Sequence, residues 1–402
     1  MKARDPHPDV HFATQAIHHG YDPAAHQGAV SPPVFLTSTY AFESTAEFDA
    51  VFTGESDRCV YGRQQNPTQQ LLETRLAALE GGQAALVTAS GMGAIASTLL
   101  SLLSAGDEIA VHHTIYNTAS ALMTEGLPRF GIKVVRGDLS TPQGTAAAIG
   151  PATRLVYFET PINPSADVLD IARIAAAAQR AGARVIVDST FASPALQRPL
   201  ELGADLVIHS LTKYLNGHGD VLGGAVIGDR ETIDLIRASG AKYLTGATPS
   251  PMSCFLVLRG LKTLDLRMRQ HSSNALAVAE MLQGHPAVAK VTYPFLAGFA
   301  NGDIARRQMS AGSGMVSFEL QAGYDGVAPM MDRLRIISRG ISLGDTDSLI
   351  YHTAGMIRAR QKVNPALRLS PGVSPALVRL SVGLEDVRDL LADLEQALSP
   401  VR

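Results

Sequence analysis

Short apolar runs alternate with amphipathic stretches through the middle of the chain. Residues 84–88 read as a strand and 92–103 as a helix, and 108–111 and 154–158 read as further strands. After Pro161 and Pro164 a helix is predicted over 168–180. Residues 184–187 and 205–208 are apolar runs too short for helices, and their Val and Ile content favours buried parallel strands. Strand alternating with helix at this spacing implies βαβ units and a mostly parallel sheet covered on both faces. The flanks differ. Residues 1–60 read as an irregular arm punctuated by Gly20, Pro23, Gly28, Pro32 and Pro33, with poor helical periodicity before 42–52. Residues 256–282 read as one or two long helices carrying Arg259, Lys262, Arg267 and Arg269. Beyond them, 315–320, 334–338, 377–382 and a last helix at 385–398 no longer alternate regularly, which implies a separate α+β domain. The expected division is an arm over 1–60, an α/β domain over 61–255 and a smaller α+β domain over 256–402.

Composition narrows the class. In 402 residues, 46% hydrophobic and 18% charged side chains suffice for a large core and exclude disorder throughout. A net charge of −3 gives no electrostatic reason to expect nucleic acid or an anionic membrane as partner. Cys59 and Cys254 are too few for a disulfide scaffold or a four-thiolate metal site, which fits a reducing compartment. The first ten residues are polar and contain Pro6 and Pro8, unlike a secretory signal. No stretch reaches the roughly 20 apolar residues of a membrane helix. A cytoplasmic protein is expected.

An α/β sheet places its ligands at the carboxyl ends of its parallel strands. The first strand is followed by Thr88-Ala89-Ser90-Gly91-Met92-Gly93 and then a helix, a turn that frees backbone N–H groups for a phosphate. The same glycines fit a dinucleotide-binding pattern, but that reading wants an acid closing the second strand, and His112-His113-Thr114 stands there. The strand at 184–187 runs into Asp188-Ser189-Thr190, an acid at the mouth of the sheet that is costly to bury unless a cation faces it. The next strand ends in His209-Ser210-Leu211-Thr212-Lys213-Tyr214. A lysine in such a partly dry place has a lowered pKa and acts as an amine nucleophile toward a carbonyl. Phosphate cradle, acid and lysine are the three parts that pyridoxal phosphate needs: an anion site, a carboxylate for the pyridinium nitrogen and an amine for the Schiff base. His209, His218 and Asp220 offer a rival metal site, but their spacing fits no helix pair.

Across nearly its whole length the sequence resembles the Cys/Met-metabolism group of fold-type I pyridoxal-phosphate enzymes, which includes methionine γ-lyase, cystathionine γ-lyase, cystathionine γ-synthase and the acylhomoserine sulfhydrylases. The resemblance is carried by Tyr61-Gly62-Arg63 with Asn66-Pro67-Thr68, by Ala89-Ser90-Gly91-Met92, and by Glu159-Thr160-Pro161-Ile162-Asn163-Pro164. The blocks 187–191, 209–218 and 378–386 complete it. It implies that Lys213 forms the Schiff base with the cofactor and that Asp188 is the pyridinium partner. Ser210, Thr212 and the backbone of Gly91 and Met92 would bind phosphate, with Tyr61 and Arg63 supplied by a neighbouring subunit. That sharing implies a homodimer at least, and a tetramer built as a dimer of dimers. Tyr116 aligns with the tyrosine that stacks on the cofactor and protonates the leaving group. Asn163 would lie by the cofactor's phenolic oxygen, on the substrate side with Ser342 and Arg379. Arg379 would grip the substrate carboxylate with its planar fork. In the family the arm packs on another subunit.

Within the family the sequence is most like methionine γ-lyase. The cystathionine enzymes carry glutamate where this chain has Ile341, and the segment 240–247 followed by Ser250-Pro251 also resembles the γ-lyases. Thr118 departs from the usual cysteine, Asn117 from the usual glycine, and Gly355-Met356-Ile357-Arg358 replaces a Ser-x-Thr-His stretch near the substrate carboxylate. The expected reaction is γ-elimination of a thiol from methionine or a close analogue, giving a 2-oxo acid and ammonia. Replacement on an O-acyl-homoserine, cystathionine γ-lyase activity and a canavanine-like substrate remain open alternatives.

Overall fold

The computed structural model describes residues 10–365 and 367–399, so the polar start with Pro6 and Pro8 lies outside the described residues. The large sheet contains β1 (Ala84–Thr88), β2 (Glu108–His112), β3 (Lys133–Gly137), β4 (Thr153–Glu159), β5 (Arg184–Asp188), β6 (Leu206–Ser210) and β7 (Gly224–Gly228). Their order is β1-β7-β6-β5-β4-β2-β3. The run from β6 to β3 is parallel, and β7 is antiparallel to both of its neighbours. Alternate residues enter different cores. Ile109, Val111, Leu155, Tyr157, Ile186, Leu206 and Ile208 join one, whereas Ala110, Val156, Phe158, Val185 and Val187 join the other. Burial on both faces is why these strands read as continuous apolar runs rather than as alternating ones. Each Val, Leu, Ile or Phe side chain among them contributes about 1.5–3 kcal/mol on leaving water.

The second sheet contains β8 (Val288–Thr292), β9 (Met315–Leu320), β10 (Ser338–Arg339), β11 (Leu349–His352) and β12 (Leu377–Ser381), in the order β10-β11-β12-β9-β8. All of its pairs are antiparallel except β10 with β11. The stretch expected to be one or two long helices is two, Pro251–Leu261 and Leu264–Gly284.

Several local expectations need correction. The helix expected from 168 begins at Ile171, because the Asp170 side chain accepts from the Arg173 N–H at 3.1 Å and caps it there. Residues 334–338 are not a strand: only Ser338 enters the two-residue β10. The arm is not wholly irregular. Phe12–His18 is a helix whose Ala16 sits in a core with Leu72 and Leu76, and the Arg75 Nε donates to the His19 carbonyl at 3.0 Å. The following stretch is open, with Val30 80% and Leu36 70% exposed.

Candidate active site

Lys213 leaves β6 in a tight loop. Its N–H donates to the Ser210 carbonyl at 3.2 Å, and the Gly217 N–H returns to the Lys213 carbonyl at 2.8 Å. Gly217 sits at φ +74°, and a Cβ there would lie 1.9 Å from the Arg267 guanidinium, which itself donates to the Tyr214 carbonyl at 2.8 Å. The loop is therefore clamped from below by a buried arginine. The Lys213 Nζ donates to the Ser342 Oγ at 2.9 Å. Burial, and then the nearby Arg379 charge, hold this amine below the usual lysine range, with Asp345 opposing.

Asp188 closes β5. Its Oδ1 accepts from the Thr190 N–H at 3.0 Å and from the Thr190 hydroxyl, while that hydroxyl accepts the Ser210 N–H at 2.9 Å. One threonine thus ties the acid to the lysine strand. The Tyr157 hydroxyl reaches the Asp188 Oδ2 at 3.4 Å. Glu159, at the end of β4, accepts the Tyr116 N–H at 2.7 Å. Burial pushes both carboxyls up, and for Glu159 the nearby Asp188 charge adds to it. The Thr190 bonds and the His209 ring oppose this at Asp188.

The helix Gly91–Leu102 begins beside Asp188. The Ser90 Oγ caps it by accepting the Gly93 N–H at 3.0 Å, which leaves the Gly91 and Met92 N–H groups without intrahelical acceptors. A Cβ on Gly91 would lie 3.1 Å from the Ser210 Cβ, so glycine lets the turn approach the lysine strand. From β12, the Arg379 Nη1 donates to the Asn163 Oδ1 at 3.0 Å, and its Nη2 donates to the carbonyls of Ile341 at 2.8 Å and Ser342 at 3.1 Å. Its guanidinium lies over the Tyr351 ring, and burial lowers its pKa to about 10. The Arg379 Nε is buried with no partner, a donor waiting for an acceptor.

One cavity of about 480 Å³ is lined by Gly91, Met92, Tyr116, Asn163, Asp188, Ser210, Thr212, Lys213, Ser342 and Arg379. Tyr61 and Arg63 are absent from its lining: the Arg63 guanidinium lies over the Tyr61 ring and donates to the Lys242 carbonyl. The Thr212 hydroxyl is engaged with Gly223, accepting its N–H at 3.1 Å. The sequence reading missed Thr190, Glu159, Tyr351 and Arg360, which line the same space. Glu159 and Thr190 stood inside the quoted motifs without an assigned role. Arg358 is a correction of another kind, since its guanidinium sits over the Tyr324 ring and not in the cavity.

The rival metal site does not assemble. His209 Nε2 pairs with the buried Glu80 carboxylate, the His218 Nδ1 faces the Asn216 carbonyl at 2.7 Å, and Asp220 accepts from the Asn216 amide at 2.7 Å. Among the described residues a metal-like spacing occurs only at His112, His113 and Asp138, where the His112 Nδ1 already accepts the Leu139 N–H.

These residues fit pyridoxal phosphate. Glu159 is buried and Asp188 half-buried, and among the described residues neither carboxylate forms an ion pair with lysine or arginine, so a cationic ring would relieve them. Free N–H groups at a helix N-terminus suit a phosphate. The orphaned Arg379 Nε suits a carboxylate.

Comparison with known proteins agrees. The model of the Cys/Met metabolism PLP-dependent enzymes matches residues 13–399. The chain is 49% identical to an L-methionine gamma-lyase of Pseudomonas putida, over 96% of this chain and 97% of that one. It is 42% identical to a cystathionine gamma-synthase of Mycobacterium bovis, over 96% of each. The solved cystathionine gamma synthase of Xanthomonas oryzae pv. oryzae, in complex with aminoacrylate and cysteine, superposes with a TM-score of 0.88 at 40% identity, covering 97% of this chain and 98% of that one.

Proposed function

The chain belongs to the Cys/Met metabolism PLP-dependent enzymes, and from that premise we propose that it eliminates a thiol from the γ-carbon of methionine or a close analogue. With water the products are 2-oxobutanoate, ammonia and the thiol. The observation that carries this reading is the Lys213 amine, depressed in pKa and sharing one cavity with Asp188 and Arg379. When bound, pyridoxal phosphate supplies an aldehyde and an electron-accepting ring that acidifies the substrate Cα–H.

The chain's own groups do the rest. Gly91 and Met92 hold the phosphate through their N–H groups, with Ser210 and Thr212 beside them. The Asp188 carboxylate keeps the ring nitrogen protonated, and Thr190 holds that carboxylate in place. Arg379 and Asn163 fix the substrate carboxylate, so that the Cα proton faces the Lys213 Nζ, which Ser342 positions. Lys213 takes that proton as general base, and the Tyr116 hydroxyl delivers one to the departing sulfur. Ile341, Leu222, Met356 and Leu343 give the cavity an apolar wall suited to a thioether.

Tyr61 and Arg63 complete the phosphate site of a second copy, and the open arm with Val30 and Leu36 packs on that copy. The assembly is a tetramer made of two such dimers. We place it in the cytoplasm, where the two free buried thiols, Cys59 and Cys254, stay reduced.

Purified enzyme given methionine should release 2-oxobutanoate, and no keto acid from methionine or homocysteine would remove the reading. The similarity to cystathionine gamma-synthases supports a second reading, γ-replacement on an acylated homoserine. Product analysis with and without added sulfide separates the two.

A further inference from the structure

One wall of the cavity is the helix Thr353–Gln361, which lines it with Thr353, Met356 and Arg360. Spacings of three and seven residues place these side chains on one helix face. The helix continues directly from β11, where Tyr351 pairs with Arg379, so its first turn stands beside the Arg379 end of the cavity. Arg360 comes seven residues after Thr353, about 10 Å farther along the axis at ~1.5 Å per residue.

Every other charge on the cavity wall is engaged. Asp188 is tied to Thr190, Glu159 to the Tyr116 N–H, Lys213 to Ser342, and Arg379 to Asn163 and two carbonyls. Arg360 differs. It is exposed, and among the described residues it forms no ion pair and its guanidinium makes one hydrogen bond, to the Met356 sulfur at 4.0 Å. Its charge nevertheless reaches into the cavity: burial raises the Tyr351 phenol's pKa, and Arg379 and then Arg360 pull it back. Beside the Lys213 amine, the site therefore carries two separated guanidinium groups. Arg379 is buried and pre-set for a carboxylate; Arg360 stands at the rim beside apolar Met356.

We propose that Arg360 is a specificity-determining residue that binds an acidic group at the far end of the γ-substituent. The favoured substrates are then γ-thioether amino acids whose departing thiol carries a carboxylate. The proposal rests on the γ-elimination reading and narrows it. A cationic tail would meet a like charge at the rim, which disfavours guanidinium-bearing substrates. For S-carboxymethyl-L-homocysteine the Cγ–S bond breaks, the sulfur leaves as mercaptoacetate with a proton, and one water is consumed to give 2-oxobutanoate and ammonia.

The test compares S-carboxymethyl-L-homocysteine with its uncharged isostere S-carbamoylmethyl-L-homocysteine on the holoenzyme. Dissociation constants come from the cofactor absorbance, and kcat/KM from 2-oxobutanoate release. The acid should bind about fivefold more tightly than the amide, the size of one ion pair at a partly exposed site. The ratio should shrink as salt is raised. In Arg360→Gln it should fall to about one, in Arg360→Lys it should largely persist, and in Arg358→Gln it should equal that of the parent. Equal binding of acid and amide by the parent overturns the proposal, as does a preference that survives Arg360→Gln. If neither compound nor methionine yields 2-oxobutanoate, the elimination reading fails, and the binding ratio still decides the role of Arg360.

Discussion

Arg379→Lys is the most informative single perturbation of the substrate site. The native Arg379 is 4% exposed, and its guanidinium spends three hydrogen bonds on Asn163, Ile341 and Ser342 and keeps a buried Nε–H with no acceptor. Lysine preserves the charge but presents its donors from one point, so it cannot hold Asn163, reach both carbonyls and meet a carboxylate at once. The substrate therefore loses about one charge-assisted bond, worth about 1.5–3 kcal/mol. The expected fall in kcat/KM for methionine is roughly 10- to 150-fold, carried mainly by KM because the contact exists before the chemical step as well as during it. Steady-state assay of 2-oxobutanoate gives that split, and the cofactor spectrum of the variant should match the parent, since Lys213 and Asp188 are untouched. A variant within threefold of parental kcat/KM, or one that loses cofactor while keeping KM, would refute this role.

Thr190→Val removes the hydroxyl that joins Asp188 to the Ser210 N–H. Cofactor affinity should drop about tenfold, one buried hydrogen bond to a charged group, with the absorbance shifting toward an unprotonated ring; equilibrium dialysis and spectra check both. Arg63→Ala should loosen cofactor binding in step with subunit association, followed by sedimentation across a dilution series, and unchanged cofactor affinity would count against a shared site. Acid should weaken the fold through two buried imidazoles. Burial lowers His112 to about 3 and His271 to about 4, from an ordinary 6.5. Below pH 6.5 the unfolded chain binds protons that the native chain refuses. Stability is therefore full above that pH and falls by about 3 kcal/mol per histidine on the way to pH 4. A urea midpoint that does not move between pH 7 and pH 4.5 would contradict it.

The centre of this site was readable because an α/β sheet delivers its chemistry at strand ends, and the ends of β1, β5 and β6 carry the glycine turn, the acid and the lysine. Asp188 after Val-Ile-Val and Lys213 after the 206–210 strand needed only the apolar runs to be placed. What lay off those runs was harder to see. β3 is an edge strand with exposed Lys133 and Arg136, and β7 is bounded by Gly224 and Gly228, so neither looks like a buried strand. Thr190 acts through a hydroxyl whose two partners come from different strands, a contact no local pattern encodes. Arg358 drew attention over Arg360 because the choice depends on helix phase. Only once the helix is known to start at Thr353 do positions 353, 356 and 360 fall on the cavity side. The role proposed for Tyr61 and Arg63 rests on a second copy, which one chain's sequence does not position.

Borohydride reduction of the holoenzyme, followed by proteolysis and mass spectrometry, tests the covalent role of Lys213 most directly. The account predicts a single pyridoxyl group, carried by the Lys213 side chain and missing from Lys213→Ala. A modification at any other lysine, or none at all on a cofactor-loaded protein, would contradict it.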